Sequence, residues 1–387
     1  MTSAATPAPG SDPASALELV PDAGDDNGDE SVPNLVDWDV ALATARRLTK
    51  PGPAVSATEA RAVVADLRVR AGAAEAHVKD FTGMSAPPGS APVVVVDRPG
   101  WVQANSSAFD EVLAPLARLV AKKRKDGEQS GSGRGGALSA KVAGVEAGAL
   151  LAYLSSKVLG QFDPFYAGGG ATGRLLLVAP NVLHVERELE VDPTDFRTWV
   201  CVHEETHRVQ FTAVPWLRDY LRTQVQSFVA ETDVDPAALA DRLRDALGAV
   251  VGSFRGQGDF SLIELVQTPR QREILDRLVG LMSLLEGHAE YVMDGVGPDV
   301  IPTVEDIRKK FNKRRAGAGP VDQALRRLLG LEMKMKQYRD GAVFVRTVVD
   351  EIGRDSFNQV WTSPQTLPTR DEISDPKGWI KRLLRTV

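Results

Sequence analysis

The stretch Val191–Phe211 reads VDPTDFRTWVCVHEETHRVQF, and its pattern decides how the rest of the chain is read. Asp192 offers a side-chain acceptor at a helix N-cap, Pro193 suits the first helical position, and Asp195 is favourable near the positive helix end. Pro215 closes the helix. In between, Phe196, Val200, His203, His207 and Phe211 recur at helical spacing, which puts both imidazoles in an apolar, inward-facing stripe. Histidines at i and i+4 project from one face and can grip one metal ion. Glu204, about 100° further round the helix, can reach a water on that ion without displacing it. His203-Glu204-Glu205-Thr206-His207 therefore points to a zinc centre with Glu204 as general base. The plainer alternative is a pair of buried histidines satisfied by backbone carbonyls.

A catalytic zinc takes three protein ligands and keeps a fourth position open, so a third ligand must come from elsewhere among a chain with 5 histidines. The other cluster is LLEGHAEY, Leu284–Tyr291, in an expected helix from about Gln271 to Met293. Leu275, Leu278, Met282, Leu285, Ala289 and Met293 form its apolar face, and Glu286 falls within that face. A carboxylate there is costly to bury unless a close cation neutralises it. Glu286 is thus the expected third ligand. Glu290, one turn on, is expected to accept the free N–H of a ligand histidine. His288, about 200° round from Glu286, is kept as an alternative ligand because the two cannot readily share one ion. A salt-bridged helix is the plainer reading of this segment. The group that stabilises the oxyanion stays open among Tyr291, His288, Arg208 and Tyr220.

With these residues in hand, Leu175–Leu221 resembles the bacterial zincin-like metallopeptidase type 2 family, in which a long H-E-x-x-H helix is followed far downstream by an E-G-H-A-E helix. VVDRPGWVQAN at Val95–Asn105, GQFDPF at Gly160–Phe165, Val360-Trp361, Leu367-Pro368-Thr369 and Asp375-Pro376-Lys377-Gly378-Trp379 resemble family blocks in the same order. The resemblance spans about Leu35 to the end. It implies a zincin-like α+β fold, a Zn2+ cofactor and hydrolase chemistry. Family members are often labelled as associated with deazaflavin coenzyme biosynthesis.

Composition allows a sizeable core: 387 residues, 43% hydrophobic and 25% charged. The net charge of −6 arises from seven acids in the first 33 residues, which carry no Lys or Arg. Removing those seven from the 52 acids leaves 45 against 46 bases, so the body gives no general argument for binding nucleic acid or acidic lipid. Residues 1–33 read as a disordered acidic tail. Residues 34–387 read as the catalytic domain, with an N-terminal lobe over about 34–211 and a C-terminal helical lobe over about 212–387. No basic start followed by an apolar run is present, and Val142–Leu159 is too interrupted for a membrane span. The lone Cys201 excludes an internal disulfide, fits a reducing cytoplasm and reads as a small core residue.

Helices are expected over Trp38–Leu48, Ala57–Phe81 with Ser56 as cap, Ser106–Lys123, Val142–Leu159, Ala237–Gly252, Leu262–Met293, Thr303–Arg315 and Val321–Ile352. Pro92–Asp97 reads as a strand stopped by Arg98-Pro99-Gly100, Asp126–Gly136 as a loop, and Leu175–Val178 with Val182–Val185 as paired strands around Pro180-Asn181. The fold expected is mainly helical α+β with a small sheet beside the active-site helix. A strand edge near Leu183-His184-Val185 would dock an extended peptide. The basic runs Lys122–Lys125 and Arg308–Arg315 read as solvated helix ends. The function expected is a cytoplasmic zinc metallopeptidase acting on a peptide or protein substrate. Two alternatives stand beside it, a catalytically silent zinc-binding scaffold and a zinc amidohydrolase acting on a coenzyme precursor. No nucleic-acid partner is expected, and the sequence does not set the oligomeric state.

Overall fold

Leu175, Leu176, Leu177 and Val178 are buried without interruption because they form the middle of a sheet covered on both faces. The computed structural model describes residues 35–87, 89–126, 133–168, 171–231, 268–316 and 331–386. Within them the strands are β1 (Val93–Val96), β2 (Gly160–Gly168) and β3 (Ala171–Val178), in the order β1-β3-β2. β1 runs parallel to β3 with Val93 opposite Leu175, and β2 runs antiparallel to it with Gly160 opposite Leu177. Alternation along β3 sends Leu177 to the side of the H-E-x-x-H helix, and Leu176 and Val178 to the opposite side, against Trp101 and Leu151.

The register of β2 slips between Asp163 and Ala167, where Pro164 has no N–H to give to a ladder. The Asp163 carboxylate fills in by accepting from Phe165 N–H at 3.1 Å and from Arg174 Nε at 3.2 Å. A proline is tolerated there because β2 is an edge strand among the described residues.

The helices are α1 (Trp38–Leu48), α2 (Ala57–Thr82), α3 (Arg98–Asp126), α4 (Gly133–Leu154), α5 (Ala179–Leu189), α6 (Pro193–Ala213), α7 (Leu217–Ala230) and α8 (Pro269–Gly295). After them come α9 (Gly297–Val300), α10 (Val304–Ala316), α11 (Leu331–Ile352), α12 (Arg354–Phe357), α13 (Arg370–Ser374) and α14 (Pro376–Thr386). The mainly helical α+β class and the small sheet are as expected. Caps behave as read: Ser56 accepts from Glu59 N–H, and Asp192 accepts from Asp195 N–H at 3.0 Å. Cys201 is a core residue whose thiol, pushed up by burial, lies against Leu67 O.

Four expectations are corrected. Val182–Val185 is not a strand but the middle of α5: Pro180 stands in its first turn, and Val182, Leu183, Val185 and Glu186 turn inward at helical spacing. His184 is exposed on that helix beside Glu188. The edge strand beside the H-E-x-x-H helix is β2, so the edge expected near Leu183-His184-Val185 lies instead at Gly160–Gly168. Arg98-Pro99-Gly100 opens α3 rather than stopping the chain, because proline in a first turn surrenders no hydrogen bond, and Asp97 accepts from Gly100 N–H at 2.8 Å. Gly133–Gly136, expected as loop, belongs to α4. The tail 1–33, loop residues 127–132, the Ala237–Gly252 helix and residues 262–267 and 321–330 lie outside the described residues.

Two helix contacts place the site. α6 packs on α2 through Phe196, Val200 and Cys201 against Leu67, Ala71 and Ala74, and its N-terminus is held from outside by Thr303, which donates N–H and Oγ1–H to Asp195 at 2.8 and 2.7 Å. α8 crosses α11 backbone to backbone. A Cβ on Gly287 would stand 2.2 Å from the Gly341 carbonyl carbon, and one on Gly341 would stand 2.0 Å from Ser283 O. The glycine of the E-G-H-A-E segment therefore lets α11 brace α8 between Glu286 and His288.

Candidate metal centre

α6 and α8 bring three donor atoms to one point. His203 Nε2 and His207 Nε2 each lie 3.8 Å from Glu286 Oε2, and the three donors fall within 4.8 Å of one another. A tetrahedral zinc with bonds of about 2.0–2.1 Å has donor-to-donor edges of about 3.4 Å, so side-chain adjustments well under 2 Å close the set around an ion. Two imidazoles and one carboxylate are the donor chemistry of a catalytic zinc, and they leave one position for water. Among the described residues this is the one group of three or more such side chains placed to hold a metal. Side-chain exposures of 24%, 13% and 25% for His203, His207 and Glu286 keep the point open to solvent.

Glu204 is almost fully buried. Burial pushes its carboxyl well above the usual range, and the charge of Glu286 pushes it further the same way. No described residue hydrogen-bonds that carboxyl. Two carboxylates facing one spot is the electrostatic arrangement that a cation relieves. The side chain of Glu204 lies over Gly160 at the start of β2: a Cβ there would stand 2.6 Å from Glu204 Cγ and 2.7 Å from Cδ. In the sequence Gly160 stands only as the first residue of the GQFDPF block, and nothing there signals that it makes room for the acid.

Around the donors, His207 Nδ1 lies 2.9 Å from Gln210 Oε1, and His203 Nδ1 lies 3.0 Å from Met293 Sδ. Gln210 stands three residues after His207 on the same helical face, a spacing that could have identified it. His288 does not reach the donor cluster. It is buried one shell out, its Nδ1 3.0 Å from Gln210 Nε2 and its ring packed on Phe357 and Trp361. Burial, then the neighbouring charge of His207, drives it down to about 3. Glu290 is half-buried one turn beyond Glu286, and its charge acts on the Arg308 guanidinium.

The candidate oxyanion groups separate. Arg208 is committed to a buried pair with Glu205, a second with Glu75 and a hydrogen bond to Ser90 O. Tyr291 packs against Phe81 and Tyr220 against Trp216.

Comparison with known proteins agrees with this geometry. The family model described as zincin-like metallopeptidase matches residues 36–380. A crystal structure from Chloroflexus aurantiacus, of a proposed hydrolase with a novel fold, is 30% identical, covers 90% of this chain and 99% of its own, and superposes with a TM-score of 0.66. No curated protein matches the chain. With the match covering nearly all of the described fold, including both helices that carry the donors, the chain belongs to the zincin-like metallopeptidase family.

Proposed function

We propose that the protein is a zinc-dependent metallopeptidase, with His203, His207 and Glu286 as ligands and Glu204 as general base. The observation that carries this is the convergence of two separate helices on one point, His203 and His207 from α6 and Glu286 from α8, with a buried acid beside it that no described residue hydrogen-bonds. Bound zinc supplies a Lewis acid that acidifies water and polarises a carbonyl. Glu204 takes a proton from the attacking water and returns it to the leaving amine nitrogen, a role that its position beside the donors allows. In this reading the proton transfer lies beside Gly160, at the start of edge strand β2, over which the Glu204 side chain lies. An extended chain added along that edge by main-chain hydrogen bonds would carry an amide past Glu204, which favours a peptide or protein substrate. Residence in a reducing cytoplasm belongs to the same reading, supported by a free, buried Cys201. No described helix is long and apolar enough to cross a membrane.

Elemental analysis of the full chain, beside His203→Ala and Glu286→Ala, tests the centre: about one zinc per chain, lost in both variants, is expected. A pool of quenched fluorescent peptides then tests the chemistry. Glu204→Gln should keep its zinc and lose turnover by about 10²–10⁴-fold. A native chain that refuses zinc overturns the assignment. Turnover that survives in Glu204→Gln removes Glu204 from the chemistry.

A further inference from the structure

Leu285 O, a carbonyl that can only accept, orients a chain of three side chains, of which Gln210 and His288 are buried. Gln210 is fully buried, and its amide makes three contacts: Nε2 to Leu285 O at 3.0 Å, Nε2 to His288 Nδ1 at 3.0 Å, and Oε1 to His207 Nδ1 at 2.9 Å. The amide nitrogen must face Leu285 O, since the flipped amide would set oxygen against oxygen. Its second hydrogen then points at His288 Nδ1, which must present a lone pair. The amide oxygen is left for His207, and an oxygen can only accept, so the proton of His207 sits on Nδ1.

We infer that Gln210 and His288 are positioning residues that fix His207 as its Nδ1–H tautomer, leaving Nε2 with a free lone pair aimed at Glu286 and His203. The E-G-H-A-E helix thus contributes twice: Glu286 as a donor, and His288 as the group that orients the holder of another donor. Phe357 and Trp361 pack on the His288 ring and hold its orientation towards Gln210. Gln210, which meets His207 Nδ1, is uncharged, so this side of the imidazole is oriented without adding a carboxylate beside the two acids already there. The value of the relay to metal binding rests on the zinc reading above, but the tautomer itself does not.

The test is nitrogen NMR of the full chain, metal-free, labelled with 15N-histidine, at mildly alkaline pH. The His207 signals are assigned by their loss in His207→Ala. A protonated Nδ1 and a bare Nε2 on His207 are expected in the native chain. Gln210→Met keeps the volume and removes both hydrogen-bonding roles: His207 should become a mixture of tautomers, and zinc affinity, measured by chelator competition, should fall about 10–100-fold. His288→Phe keeps the packing on Phe357 and Trp361 while removing the acceptor. It should shift the tautomer and affinity in the same direction by less, because Leu285 O still holds the amide. A native His207 protonated on Nε2 overturns the inference, as does a folded Gln210→Met whose tautomer is unchanged. If Gln210→Met fails to fold, His288→Phe and the native spectrum decide. A native chain that shows the expected tautomer yet takes up no zinc upholds the relay and removes the zinc assignment. Zinc uptake with the proton on Nε2 does the reverse.

Discussion

Gly160→Ala should disable Glu204 without touching a metal donor, and its effect should vanish when Glu204 is absent. An added Cβ stands 2.6 Å from Glu204 Cγ, 2.7 Å from Cδ and 2.9 Å from Oε1. Carbon atoms in contact rest about 3.5–4.0 Å apart, so the acid must retreat by about 1 Å. Gly160 is not among the glycines with positive φ, so alanine meets no backbone strain there and the clash is the whole effect. Overpacking of this kind costs about 1–3 kcal/mol. In a Glu204→Ala background all three clashing atoms are gone, and the same substitution should be neutral or stabilising by up to about 1 kcal/mol, through the lower freedom of the unfolded chain. The coupling between the two positions is therefore about 1–3 kcal/mol, read from urea midpoints of the four proteins in the cycle. On the proposed function, a displacement of about 1 Å also costs about 10²-fold in peptide turnover with zinc content intact. Equal destabilisation by Gly160→Ala in both backgrounds would refute the reasoning, because the strain would then lie in the strand and not against the acid.

Other outcomes follow from the same geometry. Gly287→Ala sets a methyl 2.2 Å from the backbone of α11, where no side chain can swing aside; a loss of about 3 kcal/mol or more and weaker zinc binding are expected from urea midpoints and chelator competition. Zinc at about 100 times its dissociation constant should stabilise the native chain by about 2.7 kcal/mol, an increment that chelator removes and that Glu286→Gln should lack throughout. Burial pushes Glu372 up, but Arg382, with a 2.7 Å Nε contact, and the Thr369 cap outweigh it and hold the carboxyl below its ordinary 4.5. Its stabilisation is therefore present above 4.5 and lost as pH falls through the lower folded value, so Glu372→Gln should flatten the acid limb of a urea-midpoint profile.

The parts of this fold that could be read in advance are those in which one residue does its work alone. Asp192 caps α6 through its own side chain, Pro193 fits a first turn by its own ring, and His203 and His207 share a face by spacing alone. The placement of Glu286 beside the two imidazoles could be read for a related reason, since an acid inside an apolar stripe is costly unless a cation is near. Val182–Val185 defeated the same approach because a short apolar run has no period of its own. Pro180 starts a helix or breaks a strand depending on what precedes it, and here β3 already ends at Val178.

What stayed hidden depends on two segments meeting. Glycine at 160 is uninformative until Glu204 lies over it, and Gly287 until Gly341 crosses it. Gln210 was within sight of His207 by spacing, yet a glutamine has no preferred direction for its amide; only Leu285 O, 75 residues away, chooses one. Glu290 was expected to accept from a ligand histidine, and it stands half-buried one turn beyond Glu286. On His207 the group at Nδ1 is the amide of Gln210, at 2.9 Å, and the physical reason is local. Glu204 and Glu286 already face one spot, and a further negative charge against His207 would raise the cost of assembling the site before any cation arrives. A neutral acceptor fixes the same ring at no such cost, provided something fixes the acceptor, and that requirement is what places His288 one position beyond the glycine that lets α11 approach.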